Sequence, residues 1–163
     1  MTTILIPTDF TLTSLNMVKD AASRFRGQRL NIVLFHALYM PTDIHDLLFL
    51  PARVPYEKVT EDFRHACTVI KKKNSDVIAQ INFRYMYGST NAVFRNFMEA
   101  NTIDAIFMPE HIVLKKVYDN SVDLRSLFKK AAIPFITDTA SSIKIRETTS
   151  NRQFYPEMAL ANG

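Results

Sequence analysis

Compact apolar runs alternate with longer stretches in which apolar residues recur every three or four positions. The first run, Thr3 to Pro7, predicts a strand, with Thr8, Asp9 and Phe10 just past its end. Leu15, Val18, Ala22 and Phe25 follow at helical spacing and make one apolar stripe. Thr11 or Thr13 can cap that helix, and Gly27 stands where a left-handed C-terminal residue is wanted. Leu30 to Leu38 is a near-continuous β-branched and aromatic run, which suits a strand covered on both faces. Tyr56, Val59, Phe63, Cys67 and Ile70 mark a second amphipathic helix. Ile81, Phe83 and Tyr85 alternate as a third strand, ended by Gly88. Ser89 or Thr90 can open a third helix, whose stripe is Val93 or Phe94, then Phe97 and Met98. Ile103 to Pro109 predicts a fourth strand, and Ile133 to Thr137 a fifth. Between them a fourth helix is expected to start near Asn120 or Ser121 and to bury Leu124, Leu127, Phe128 and Ala131.

Five strands separated by four helices predict an α/β fold, a parallel sheet with helices on both faces. Right-handed crossovers then favour a doubly wound layout. Two segments depart from the alternation. Pro41, Pro51 and Pro55 surround the apolar patch Ile44 and Leu47 to Leu50, expected as a short helix folded over the sheet edge. The alternative is an exposed partner surface or pocket lid. The chain therefore divides into a domain, 1–139, and a polar extension, 140–163, read as an edge strand or disordered.

Bulk properties narrow the function classes. A chain of 163 residues suits one domain, and its 47% hydrophobic and 22% charged residues are typical of globular proteins. No apolar stretch approaches the ~20 residues that cross a bilayer. The opening MTTILIPTDF lacks the pattern of a signal peptide, and the single Cys67 fits a reducing compartment, so a cytoplasmic protein is expected. The net charge of +4 gathers in Lys71 to Lys73, Lys115 with Lys116, and Lys129 with Lys130. These are expected as solvated helix ends and loops, and no aromatic-basic motif or zinc-finger spacing adds a case for nucleic acid.

Four pieces of the chain carry a resemblance. ILIPTDFTLTSLNMV, with its strand ending in Pro-Thr-Asp, resembles the start of universal stress proteins. His36-Ala37 closes the second strand as the family's usual His-Val does. YGSTNAVFRNFMEANTIDAIFMPEH and NSVDLRSLFKKAAIPFI are similar to the family's glycine-helix-strand stretch and to its ending. The resemblance implies an open five-stranded parallel sheet of order 3-2-1-4-5 and, often, homodimers joined through the last strand.

Ligands of open α/β sheets bind beyond the C-terminal strand ends, where strand order reverses. Those ends carry Pro7-Thr8-Asp9, His36-Ala37 and Met108-Pro109. In ATP-binding members of the family the aspartate after strand 1 contacts the nucleoside, and a loop G-x-x-G-x9-G-[S/T] holds the phosphates. The resemblance thus implies a pocket of Pro7, Thr8, Asp9, Ala37, Met108, Ser121 and Val122. Here Pro109, Ile112 and Asn120 stand in place of the three glycines, and the loop is two residues short. Proline lacks an amide donor and isoleucine disfavours a left-handed backbone. Asn120, expected to cap the fourth helix with Asp123 in a capping-box arrangement, leaves Asp119 and Asp123 where phosphate would sit. Lys115 and Lys116 can compensate as point charges. Asp9 has two readings, nucleoside contact or a bond to its own turn.

Catalytic signals are sparse. His36, His45, His65 and His111 have no metal-ligand spacing. His36, His111 and Asp9 could meet as an acid-base cluster, against the reading of scattered, hydrogen-bonded histidines. Cys67 falls on a core-facing helical position and is expected as inert packing. The leading expectation is a non-enzymatic stress-response or regulatory protein that has lost ordinary ATP binding, has no cofactor and acts through a protein partner or small ligand. The alternative is an ATP-binding member, with magnesium, that hydrolyses slowly or not at all and relies on Lys115 and Lys116. A third reading, a flavodoxin-like or adenine-nucleotide hydrolase relative sharing only architecture, is countered by Asp9 and the ending at 120–136.

Overall fold

The computed structural model describes residues 1–49 and 58–137. Strands β1 (Thr2–Pro7), β2 (Leu30–Leu38), β3 (Ile78–Tyr87), β4 (Ala105–Phe107) and β5 (Phe135–Ile136) pair in parallel in the order β3-β2-β1-β4-β5. The described helices are α1 (Asn16–Arg24), α2 (Ile44–Leu48), α3 (Glu61–Lys73), α4 (Asn91–Ala100) and α5 (Leu124–Phe128). The expected α/β fold and its strand order are present.

The continuous apolar runs have a direct cause, because successive residues of a central strand serve opposite faces. Ile4 and Ile6 of β1, with Ile32 and Leu34 of β2, pack with α1 and α3 residues such as Val18 and Phe63. Leu5, Val33 and Phe35 face the other way, among Phe94, Met98 and Phe128 of α4 and α5. Phe35 is fully buried there, with the Phe97 ring 4.8 Å away and those of Phe94 and Phe128 at 5.8 and 6.0 Å. Strand β3 lies at the edge, which explains its alternation. Ile81, Phe83 and Tyr85 pack half-buried on the α3 side, while Gln80 and Arg84 are exposed.

Helix ends follow local chemistry. Thr60 and Thr90 cap α3 and α4, their hydroxyls accepting from the Phe63 and Val93 N–H. Lys71 to Lys73 occupy the last turn of α3, exposed, where cations complement the carbonyl end. Gly27 takes the left-handed conformation expected, with φ of 84°.

Four expectations need correction. Helix α1 has Leu15 at its N-cap position with no side-chain cap, because a preceding turn intervenes; Thr11 caps that turn instead, accepting from the Ser14 N–H at 3.1 Å. Helix α5 starts at Leu124, and Asp123 itself is the cap, accepting from the Arg125 N–H at 3.2 Å. Residues 120–122 cannot enter the helix because β2 claims them. The Tyr39 N–H donates to the Asn120 carbonyl at 2.7 Å, the Val122 N–H donates to the Ala37 carbonyl at 3.0 Å, and Ser121 bridges to Leu38. Within the patch Ile44–Leu48 does form a short helix, α2, capped by Asp43, but none of its residues is buried. Ile44 and Leu48 remain 75% and 73% exposed. A helix of five residues is under two turns, and Leu47 and Leu48 point about 100° apart, so no single face gathers them. Finally, β4 and β5 are shorter than the apolar runs that announced them. Leu50, Pro51, Pro55, Tyr56 and the extension 140–163 lie outside the described residues.

Candidate functional site

The turn after β1 places Asp9 under a web of donors. Its Oδ1 accepts from the Thr11 N–H at 3.1 Å and from the Thr11 hydroxyl at 2.6 Å. Its Oδ2 accepts from the Lys115 N–H at 3.0 Å, across 106 residues. Burial alone raises the carboxyl; the bonds from Thr11, Lys115 and Ser14 outweigh it and hold the group below its ordinary 3.8. Both readings of Asp9 meet here, and its oxygens are engaged by the chain itself. Next to it Phe10 adopts φ of 60°, a conformation that costs a bulky residue about 1–2 kcal/mol. The turn is held by the Phe10 N–H bond to Thr8 Oγ1 (3.0 Å) and by the Phe10 ring, 5.3 Å from His36 and 5.7 Å from Tyr85.

His36, near the end of β2, is 5% exposed. Its Nδ1 lies 2.9 Å from the Thr8 carbonyl, which can only accept. Nδ1 therefore carries the proton, and Nε2 accepts from the Ser121 hydroxyl at 3.0 Å. The Ser121 oxygen in turn accepts from the Tyr118 N–H at 3.1 Å. Burial pushes the imidazole below its ordinary 6.5, against the Thr8 bond and the Asp9 charge, so the folded state favours the neutral ring.

The loop 109–122 lies over these strand ends and uses its own polar groups. Arg125 Nη2 donates to the carbonyls of Pro109 (3.2 Å), Glu110 (3.5 Å) and Ile112 (2.9 Å). The amides of Lys115, Tyr118, Ser121 and Val122 all donate within the protein. A family-type phosphate cradle needs loop amides turned toward the ligand. These four amides and the residues at the glycine positions do not fit it.

Beside the loop a cavity of about 550 Å³ opens. Thr8, His36, Met108, Ser121 and Val122 line it, and Lys115, Lys116, Arg125 and Lys129 add four positive side chains against Glu110 and Asp123. Of the predicted pocket, Thr8, Met108, Lys115, Lys116, Ser121 and Val122 are thus gathered, while Pro7, Asp9 and Ala37 are buried outside its lining. His111 is exposed on the loop, apart from the buried His36 and Asp9. Cys67 is buried on α3, its thiol pushed up to about 11 by burial, as inert packing requires. Among the described residues no cluster of histidine, cysteine or carboxylate could hold a metal ion.

Two features escaped sequence reasoning: the Ser121–His36 bond and the role of Arg125. The first spans 85 residues and the second ends on backbone carbonyls, so neither leaves a signal in the local sequence.

The sequence matches no protein-family model and no curated protein. Its structure is similar to that of a hypothetical protein, PH0823, with a TM-score of 0.53 and 14% identity over 88% of this chain and 98% of that one. A protein from the universal stress protein family of Burkholderia pseudomallei matches at 15% identity, over 85% and 96% of the two chains, with a TM-score of 0.48. The hypothetical protein MJ0577 matches at 21% identity over 87% and 96%, with a TM-score of 0.47. The likeness is one of fold. No helix among the described residues is long and apolar enough to cross a membrane.

Proposed function

We propose that this chain is a cytoplasmic, non-enzymatic regulatory module of the universal stress type whose ordinary adenine-nucleotide site is closed by its own loop. The observation that carries this reading is Asp9, the residue matching the family's nucleoside contact, whose carboxylate is already bonded to Thr11 and to the Lys115 amide. A nucleoside would have to displace those bonds, leaving buried donors unpaired at about 1–3 kcal/mol each. The stretches Ile4 to Val18, Tyr87 to His111 and Asn120 to Ile136, in the order and on the sheet that the family uses, support the assignment of type. On this reading no cofactor resides in the protein, which works as a homodimer through β5 and responds to a protein partner or a small ligand.

The competing reading, ATP held with magnesium through Lys115 and Lys116, draws on the presence of both lysines at the cavity. A thermal-shift titration with ATP, ADP and AMP, with and without magnesium, separates the two, because specific binding raises the melting temperature by mass action. No shift at millimolar nucleotide is expected. A saturable rise abolished by replacing Lys115 and Lys116 with alanine would overturn the closed-site reading.

A further inference from the structure

We propose that Ser121 is a covalent acyl-acceptor site, with His36 as its base and an acyl phosphate as the donor class. The inference goes beyond the regulatory reading and stands whether or not an adenine nucleotide binds.

A serine hydroxyl becomes a useful nucleophile when a base within hydrogen-bond reach takes its proton and a third group fixes that base. All three parts are present. Ser121 Oγ is 3.0 Å from His36 Nε2, and the Thr8 carbonyl 2.9 Å from Nδ1 fixes the tautomer that leaves Nε2 free to accept. The imidazole is 5% exposed and kept neutral by burial, which is the form a base requires. The Asp9 charge favours the imidazolium that forms in passing. Both Ser121 and His36 line the cavity of about 550 Å³, so a small substrate can reach the hydroxyl.

The charge of that cavity selects the donor. Lys115, Lys116, Arg125 and Lys129 outnumber Glu110 and Asp123, which suits a leaving group carrying two negative charges. Ser121 Oγ attacks the acyl carbonyl carbon, and its proton passes to His36 Nε2. The new ester C–O bond forms, the C–O bond to phosphate breaks, and the departing phosphate takes the proton from Nε2 to leave as hydrogen phosphate. His36 ends neutral, its Nδ1–H still on the Thr8 carbonyl, and no oxidant or metal is consumed. The product is a stoichiometric acyl-serine, a mark on the protein that needs no turnover.

The test incubates the full-length protein with acetyl phosphate and maps adducts by peptide mass spectrometry. An acetyl group on Ser121 is expected, absent in Ser121→Ala and formed about 10²-fold more slowly in His36→Gln, the scale of a lost general base. Should His36→Gln fail to fold, the pH profile of the unaltered protein decides. Acetylation of Ser121 should rise with pH and level off once the imidazole is deprotonated, whereas acetylation of surface lysines in the same sample keeps rising. Acetyl found only on lysines, a phosphoryl group on Ser121, or a Ser121 rate unchanged in folded His36→Gln would each overturn the proposal.

Discussion

The strand ends around His36 and the short helix α2 both lie beyond the C-terminal ends of the strands, yet they are built in opposite ways. At the first, Thr8, Asp9, Ser14 and His36 are buried polar residues, bonded to residues up to 106 positions away. At the second, a helix of five residues has its backbone served by Asp43, while Ile44 and Leu48 face outward. Apolar content alone would have ranked them the other way round. What fixes a segment is whether its polar groups find partners that water cannot replace, since an orphaned buried donor costs more than an exposed leucine.

The contrast can be broken at its strongest point by His36→Ala. The change empties a site walled by the Phe10, Tyr85 and Tyr118 rings and strands the Ser121 hydroxyl, so a loss of about 3 kcal/mol in urea unfolding is expected. It should also alter the pH dependence. The folded ring resists protonation below the ordinary 6.5, so stability is full above that value and declines as pH falls from it through the folded pKa. That decline should vanish in the variant. Parallel curves for the two proteins would mean that folding does not shift the titration of His36.

Asp9→Ala ranks next, at about 2 kcal/mol, because the Thr11 and Lys115 amides lose their acceptor. Amide exchange at Lys115, read by mass spectrometry, should speed up before that of β2. The other side of the comparison predicts the smallest effect. Leu48→Glu should move the unfolding midpoint by less than about 0.5 kcal/mol, as for surface positions generally. A loss of several times that value would show that α2 is covered in solution.

Sequence order carried most of the fold because the central strands advertise themselves: Leu30 to Leu38, apolar on both faces, coincides with β2. The start of α5 was not legible in the same way. Asn120 and Ser121 are good caps by residue type, but β2 binds them first, and nothing local to 120–122 records a bond to Ala37 or Tyr39. The site divides similarly. Topology predicts that Thr8, Met108 and Ser121 converge, whereas the Ser121–His36 bond spans 85 residues and depends on the path of a loop. The Arg125 guanidinium shows the same limit, since a partner made of three backbone carbonyls leaves no trace in side-chain chemistry.

The unequal ladders of the sheet carry a mechanical consequence. Among the described residues nine pairs join β2 to β3 and six join β1 to β2, while two join β1 to β4 and two join β4 to β5. A pull applied at Thr137 therefore loads two pairs at an edge and peels β5 away at low force. A pull at Thr2 must shear a strand gripped on both sides by β2 and β4. Among the described residues the β5 seam is the weaker and the β1 seam the stronger, so tension reaching Thr137 would be registered at β5 before the strand ends around His36 felt it.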